Sequence, residues 1–240
     1  GANAVAYYPA WETLPHERLS PRSDTVGRRL AVLRRLAGNS ELVPPRIIVA
    51  PVRAVLQPQV AGLGALTPVT VTVGEDRDVD DLAVALVDAA YVRVDLVERR
   101  GEFAVRGGII DVFPPTLEHP VRIDFFGDTV EEIRPFSVAD QRSHDETLDE
   151  VTADPCREML LTDAVRERAA AHAARQGVPD QMRELFTRIA EGHAVDGMEA
   201  LAPALVDRLE LLVDVLPEDT TVVVSDPEKV RARALELHAT

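Results

Sequence analysis

The chain has 240 residues, 46% of them hydrophobic and 28% charged, which is enough apolar content for one large domain or two small ones and excludes a disordered chain. Its net charge of -15 argues against a broad nucleic-acid face, because binding phosphates needs clustered basic charge, and no apolar run reaches the roughly 18 residues of a membrane helix. One cysteine, Cys156, excludes an internal disulfide, and the opening GANAVAYYPAWETLP has neither the basic start nor the apolar core of a signal peptide, so the cytoplasm is the expected compartment.

The charge is unevenly placed: residues 1–60 carry eight Arg against four acidic residues, whereas 144–240 carry ten basic against twenty-one acidic. The spacing of Val26, Leu30, Val32, Leu33 and Leu36 predicts a helix from Ser23 to Leu36. Arg46 to Ala50, rich in branched residues and bounded by prolines, reads as a buried strand, and Val52 to Leu56 as a short helix. Strand, helix and buried strand in sequence suggest part of an α/β sheet.

Near Pro68 the texture changes. Val69 to Val73 alternates as a strand, Asp80 to Ala90 is helical, and Tyr91 to Val97 returns to strand. Glu102 to Arg106, Ile109 to Phe113, Val121 to Phe126 and Thr129 to Pro135 follow, separated by turns at Gly107-Gly108, Pro114-Pro115 and Gly127-Asp128. They form an antiparallel meander whose apolar side one helix can cover, leaving the other side wet. After Asp145 come helices over Thr162 to Gln176, Asp180 to Glu191 and Ala200 to Leu212, then a buried-type strand, Thr220 to Val224, and a closing helix capped at Asp226. The last strand and helix share the texture of residues 1–60, so the chain is expected to return to its first sheet.

One strand is unusual. Successive side chains alternate, so Val121, Ile123 and Phe125 share one face while Arg122, Asp124 and Phe126 share the other. A large ring beside an arginine and an aspartate on a solvent face marks a surface that a partner covers. Arg106 follows the same logic, since Phe103 and Val105 form the opposite face of its strand. Two plainer readings compete: an arginine on an exposed strand is usually only solvated, and the helical region could cover Phe126.

Signatures of catalysis are missing from the sequence. It contains no GxxxxGK[ST] loop, its only lysine is Lys229, and Arg106-Gly107-Gly108 leads straight back into strand rather than into a phosphate-binding helix. The histidines at 16, 119, 144, 172, 193 and 238 lack metal-ligand spacing, and Asp111, Asp124 and Asp128 read as two ordinary strand residues and a turn residue rather than a metal cluster. No cofactor is expected.

The segments RRGEFAVRGGIIDVFPP and VRIDFFGDTVEEIRPF resemble the UvrA-binding domain shared by UvrB and the transcription-repair coupling factors. WETLPHERLSPR at 11–22, Arg106-Gly107-Gly108 in place of Arg-Gly-Asp, GMEAL at 197–201 and VVVSDPE at 222–228 resemble the coupling factors rather than UvrB. The resemblance implies an α/β fold: a discontinuous, partial nucleotide-binding-like domain with an inserted α+β antiparallel-sheet UvrA-binding domain and a helical subdomain. In that scheme 1–68 is the first part of the α/β domain, 69–148 the UvrA-binding domain, 149–215 the helical subdomain, and 216–240 the returning strand and helix, with a strand, loop and helix of the first domain expected upstream of Val5.

It also implies recruitment of UvrA to stalled RNA polymerase, with Arg106, Arg122 and Phe126 falling on the family's UvrA-contacting positions. The arginine forks would suit acidic groups on UvrA, with Phe126 the desolvated anchor between them. The family's ATP-dependent motor, its contact with RNA polymerase and the C-terminal domain that masks the UvrA-facing surface lie outside these residues, so no catalysis and little DNA binding are expected here. The alternatives are a fragment of UvrB itself and, from a different class, a divergent enzyme with a carboxylate site.

Overall fold

The computed structural model describes residues 4–14, 17–40 and 42–238. Pro15 and His16, inside the WETLPHERLSPR segment, lie outside the described residues. The chain is a mixed α/β protein of small sheets and helices, and its buried residues gather into three larger hydrophobic clusters and one small one.

The first cluster in chain order surrounds helix α1 (Ser23–Leu36), whose Val26, Leu30 and Leu33 are buried as their spacing predicts. Strand β1 (Val5–Tyr7) pairs in parallel with β2 (Ile47–Val49), and α2 (Val52–Leu56) follows at once. Beside Ala6 and Tyr8 the cluster takes in Leu63, and Leu212 from far along the chain.

The second cluster is the one the strand alternation describes. A five-stranded sheet runs in the order β5 (Val92–Arg93), β6 (Glu102–Val105), β7 (Ile109–Val112), β8 (Val121–Phe126) and β9 (Thr129–Pro135). The last four strands form the expected antiparallel meander, but β5 runs parallel to β6 and is only two residues long. Phe103, Ile110, Val112, Val121, Ile123, Val130 and Ile133 point to one side, where helix α3 (Val79–Asp88) supplies Leu82 and Leu86. Asp78 caps that helix by accepting from the amides of Asp80 and Asp81. The paired strands β4 (Val69–Thr72) and β10 (Glu150–Ala153) add Val71, Val151 and Ala153 to the same core. Between Asp124 and Phe125 the register shifts, and Glu131 has no partner across the ladder. This bulge allows Val130 and Ile133, three residues apart, both to face the core.

The opposite side of the sheet is not wholly wet, contrary to the sequence expectation. Instead of extending β5, residues 94–97 turn over the sheet, and with Val138 they enclose Ala104, Phe113 and Phe136 in the small fourth cluster. The end of the sheet carrying the Gly107-Gly108 and Gly127-Asp128 turns is left open on that side, with Phe126 exposed there.

The third cluster is helical. Helix α4 (Asp163–Ala173), with Thr162 accepting from the Val165 amide as its cap, packs on α5 (Asp180–Ala190) through Val165, Ala169, Phe186 and Ile189. The helix expected over Ala200 to Leu212 is broken. A 3₁₀ turn (Met198–Leu201) passes into the short α6 (Ala202–Leu205), and Val206 is already extended. Then β11 (Leu209–Glu210) pairs with β3 (Gln59–Val60), while the Gly62 amide donates to the Glu210 carboxylate at 3.0 Å. The sequence suggested one helix, yet Leu205 belongs to the helical cluster and Leu212 to the cluster around α1.

The buried strand expected at Thr220 to Val224 is also corrected. Among the described residues no strand pairs with them, and Val222, Val223 and Val224 are exposed. Leu212, with the partly buried Val215 and Leu216, makes the contact with the first cluster instead, and the closing helix α7 (Pro227–His238) lies beside α2. Among the described residues no helix is long and apolar enough to cross a membrane.

Between the first and third clusters lies a buried ion pair. Arg29, fully enclosed on α1, donates to Glu158 at 2.5 Å, to the Pro9 carbonyl at 2.9 Å and to the Gln59 side chain at 3.2 Å, and its guanidinium stacks on Tyr8 at 4.3 Å. Trp11 Nε1 donates to the same carboxylate at 3.1 Å. A buried charge is tolerated only when paired and hydrogen-bonded, and this network ties α1 to the segment that carries Glu158.

A candidate protein-docking face

The open end of the sheet is built from β6, β7, β8 and β9. Ala104 lies opposite Asp111, Asp111 opposite Arg122, and Arg122 opposite Arg134, so one row crosses all four strands. The next row toward the turns has Ile109, Asp124 and Glu132, with Arg106 at the end of β6. Beyond it, Phe126 faces Thr129. Phe126 is 79% exposed, so neither the helical region nor any other described part of the chain covers it.

The turn beside it is tight. The Arg106 amide donates to the Ile109 carbonyl at 2.9 Å around Gly107, whose φ of 61° suits glycine, and a Cβ at Gly108 would sit 3.1 Å from the Phe125 carbonyl oxygen. Two glycines therefore let the β6–β7 hairpin close against the strand that carries Phe126, bringing Arg106 to the same edge.

The arginines are not simply solvated. Arg122 grips Asp111 with both prongs, Nε to Oδ1 at 2.7 Å and Nη2 to Oδ2 at 3.0 Å, while Arg106 Nη2 donates to Asp111 Oδ2 as well. The fork-to-carboxylate bond is the main reason the Arg122 guanidinium is held even more firmly protonated than usual. Its Nη1 approaches the Gln141 carbonyl and Ser143 Oγ at 3.4 Å each, and its flat face lies 4.9 Å from the Phe136 ring. The sequence reading gave the Arg122 fork to a carboxylate on a partner, but the structure commits that fork to Asp111. Arg106 is the more outward of the two, 44% exposed against 18%.

Asp111 is 1% exposed, and sequence reasoning passed over it as an ordinary strand residue. The β7–β8 register puts Asp111 directly across from Arg122, and the eight-residue connection over 113–120 does not reveal that register in the sequence. Asp124, on the open row, has its carboxyl pushed above the usual range, mainly by burial, with Glu132 and Asp111 adding to the shift and Arg122 and Arg134 opposing it. Arg134 holds Glu132 at 2.6 Å on the same strand. The arrangement is an exposed apolar ring at the edge of a row of paired arginines and carboxylates. Asp111, Asp124 and Asp128 do not converge on a cation, since both Asp111 oxygens accept from arginines.

Comparison with known proteins places this face in a recognised region. The UvrB interaction domain model matches residues 69–158, which include the whole five-stranded sheet. The chain is similar to the transcription-repair-coupling factor of Mycobacterium tuberculosis, 53% identical over 98% of this chain. It is similar to those of Myxococcus xanthus, 39% identical over 94% of the chain, and Bacillus subtilis, 30% identical over 95%. The chain spans about a fifth of the length of these curated relatives, 19 to 20% of each.

Proposed function

The chain belongs to the family of the transcription-repair-coupling factors and carries their UvrB interaction domain, and from that premise we propose that it is the family's N-terminal recruiting module, which docks UvrA on the open end of the five-stranded sheet. The observation that carries this reading is Phe126. A ring 79% exposed at the rim of an otherwise well-packed sheet, beside Arg106 and within the matched region, has the character of a central anchor. Arg106 supplies an outward cation for an acidic group of UvrA, and Arg122 supports the face from within.

On this reading the segment performs no chemistry of its own. ATP-driven movement, the contact with stalled RNA polymerase and the C-terminal domain that masks UvrA-facing surface belong to the remaining four-fifths of such a protein. The test is size-exclusion chromatography of the chain mixed with UvrA, with duplex DNA, or with ATP. A shift with UvrA alone is expected. A shift with DNA, or none with UvrA, would overturn the proposal.

A further inference from the structure

We infer that Asp111 is the positioning residue of the docking face, acting on the partner through Arg106; the inference rests on the docking function proposed above. The support is geometric. Asp111 lies on β7, between the strand of Arg106 and the strand of Arg122, and its carboxylate is 1% exposed. Arg122 occupies one edge of that carboxylate with two parallel bonds, and Arg106 reaches Oδ2 from the other side.

Ala104, the residue directly across from Asp111 on β6, is small, which leaves room for Arg106, two positions along, to reach back diagonally to Oδ2. An arginine at a hairpin turn would otherwise sample many rotamers. Here one Nη is tethered while the side chain as a whole stays 44% exposed. Asp111 also screens the two guanidinium groups, which without a carboxylate between them would repel each other. Holding a long side chain in its bound geometry before the partner arrives lowers the ordering cost of association and strengthens binding without a new contact. The Asp111 carboxylate is almost wholly buried, so its effect on the partner is transmitted by Arg106.

The experiment is a double-mutant cycle on the 240-residue chain, titrated with UvrA by calorimetry, with a thermal melt of each variant. Asp111→Asn keeps the shape and removes the charge, and is expected to weaken binding by about tenfold, the scale set by one freed rotamer-rich side chain. Arg106→Ala should also weaken binding. The double variant should bind no more weakly than Arg106→Ala alone, because once Arg106 is absent Asp111 has nothing left to position toward the partner. A purely structural role would instead give additive losses that track the melting temperature.

Wild-type affinity in Asp111→Asn, or additivity in the cycle, overturns the inference. If Asp111→Asn shows no cooperative melt, Asp111→Glu takes its place, keeping the charge while displacing the oxygens by one methylene, and the same non-additivity with Arg106→Ala is required. Phe126→Ala separates the two levels of the account. Wild-type affinity in that variant would defeat the docking function itself, whereas loss of binding there with an additive Asp111 cycle would defeat only the role of Asp111.

Discussion

Phe126→Ala should separate binding from stability almost completely, and the structure fixes the scale of both effects. The side chain is 79% exposed, so its truncation removes little that the fold uses, and stability should change by no more than about 0.5 kcal/mol. A partner that covers the ring would remove roughly 150 Å² of apolar surface from water, four-fifths of what such a ring exposes, a gross gain of about 4 kcal/mol. Ordering the side chain on docking takes back about 1 kcal/mol. The net loss on truncation is therefore about 2 to 3 kcal/mol, or roughly 30- to 150-fold in affinity. Calorimetric titration with UvrA, paired with thermal melts of both proteins, reads the two quantities independently. Unchanged affinity would refute the anchor role, and a melting temperature falling in proportion to the binding loss would show that the ring is used by the fold instead.

Other expectations concern the frame behind the face. Glu158→Ala leaves the enclosed Arg29 without a counter-ion, and breaking a buried pair in this way should cost about 3 to 5 kcal/mol, lowering the melting temperature by roughly 6 to 20 °C in a chain of this size. A melt within 2 °C of wild type, on the scale of about 0.5 kcal/mol, would mean that the pair is not what joins the first and third clusters. Gly197 has a φ of 74°, and a Cβ there would fall 2.4 Å from the Arg18 carbonyl carbon; Gly197→Ala should destabilise by about 2 kcal/mol or more in urea unfolding. Val223→Ser, at a residue 85% exposed, should leave the urea midpoint unchanged, whereas a clear loss would mean that Thr220 to Val224 is packed as a strand after all.

Periodicity carried furthest where one element serves one core. The helix over Ser23–Leu36 and the four meander strands match the bounds their patterns predict to within one residue, because each presents its main apolar face to one large cluster. It failed where apolar residues of one segment divide between clusters, as Leu205 and Leu212 do, and where branched residues are left without a sheet to join, as at Val222 to Val224. At the candidate site, alternation alone was enough to place Phe126 on the exposed side, since the bulge opposite Phe125 leaves the alternation along β8 undisturbed. It could not assign the partners of Arg122, because an aspartate eleven residues away becomes a neighbour only once the hairpin register is known. Gly197 shows the same limit: the GMEAL motif is visible in the sequence, but the close approach of the Arg18 backbone that calls for glycine is a long-range contact.

The central claim is that UvrA covers the open end of this sheet. Hydrogen exchange of the chain with and without saturating UvrA tests it most directly. The account predicts new protection in the two turns that frame Phe126, residues 106–109 and 126–129, with α4 and α5 unchanged. Protection confined to those helices, or to α7, with both turns exchanging as in the free chain, would contradict it.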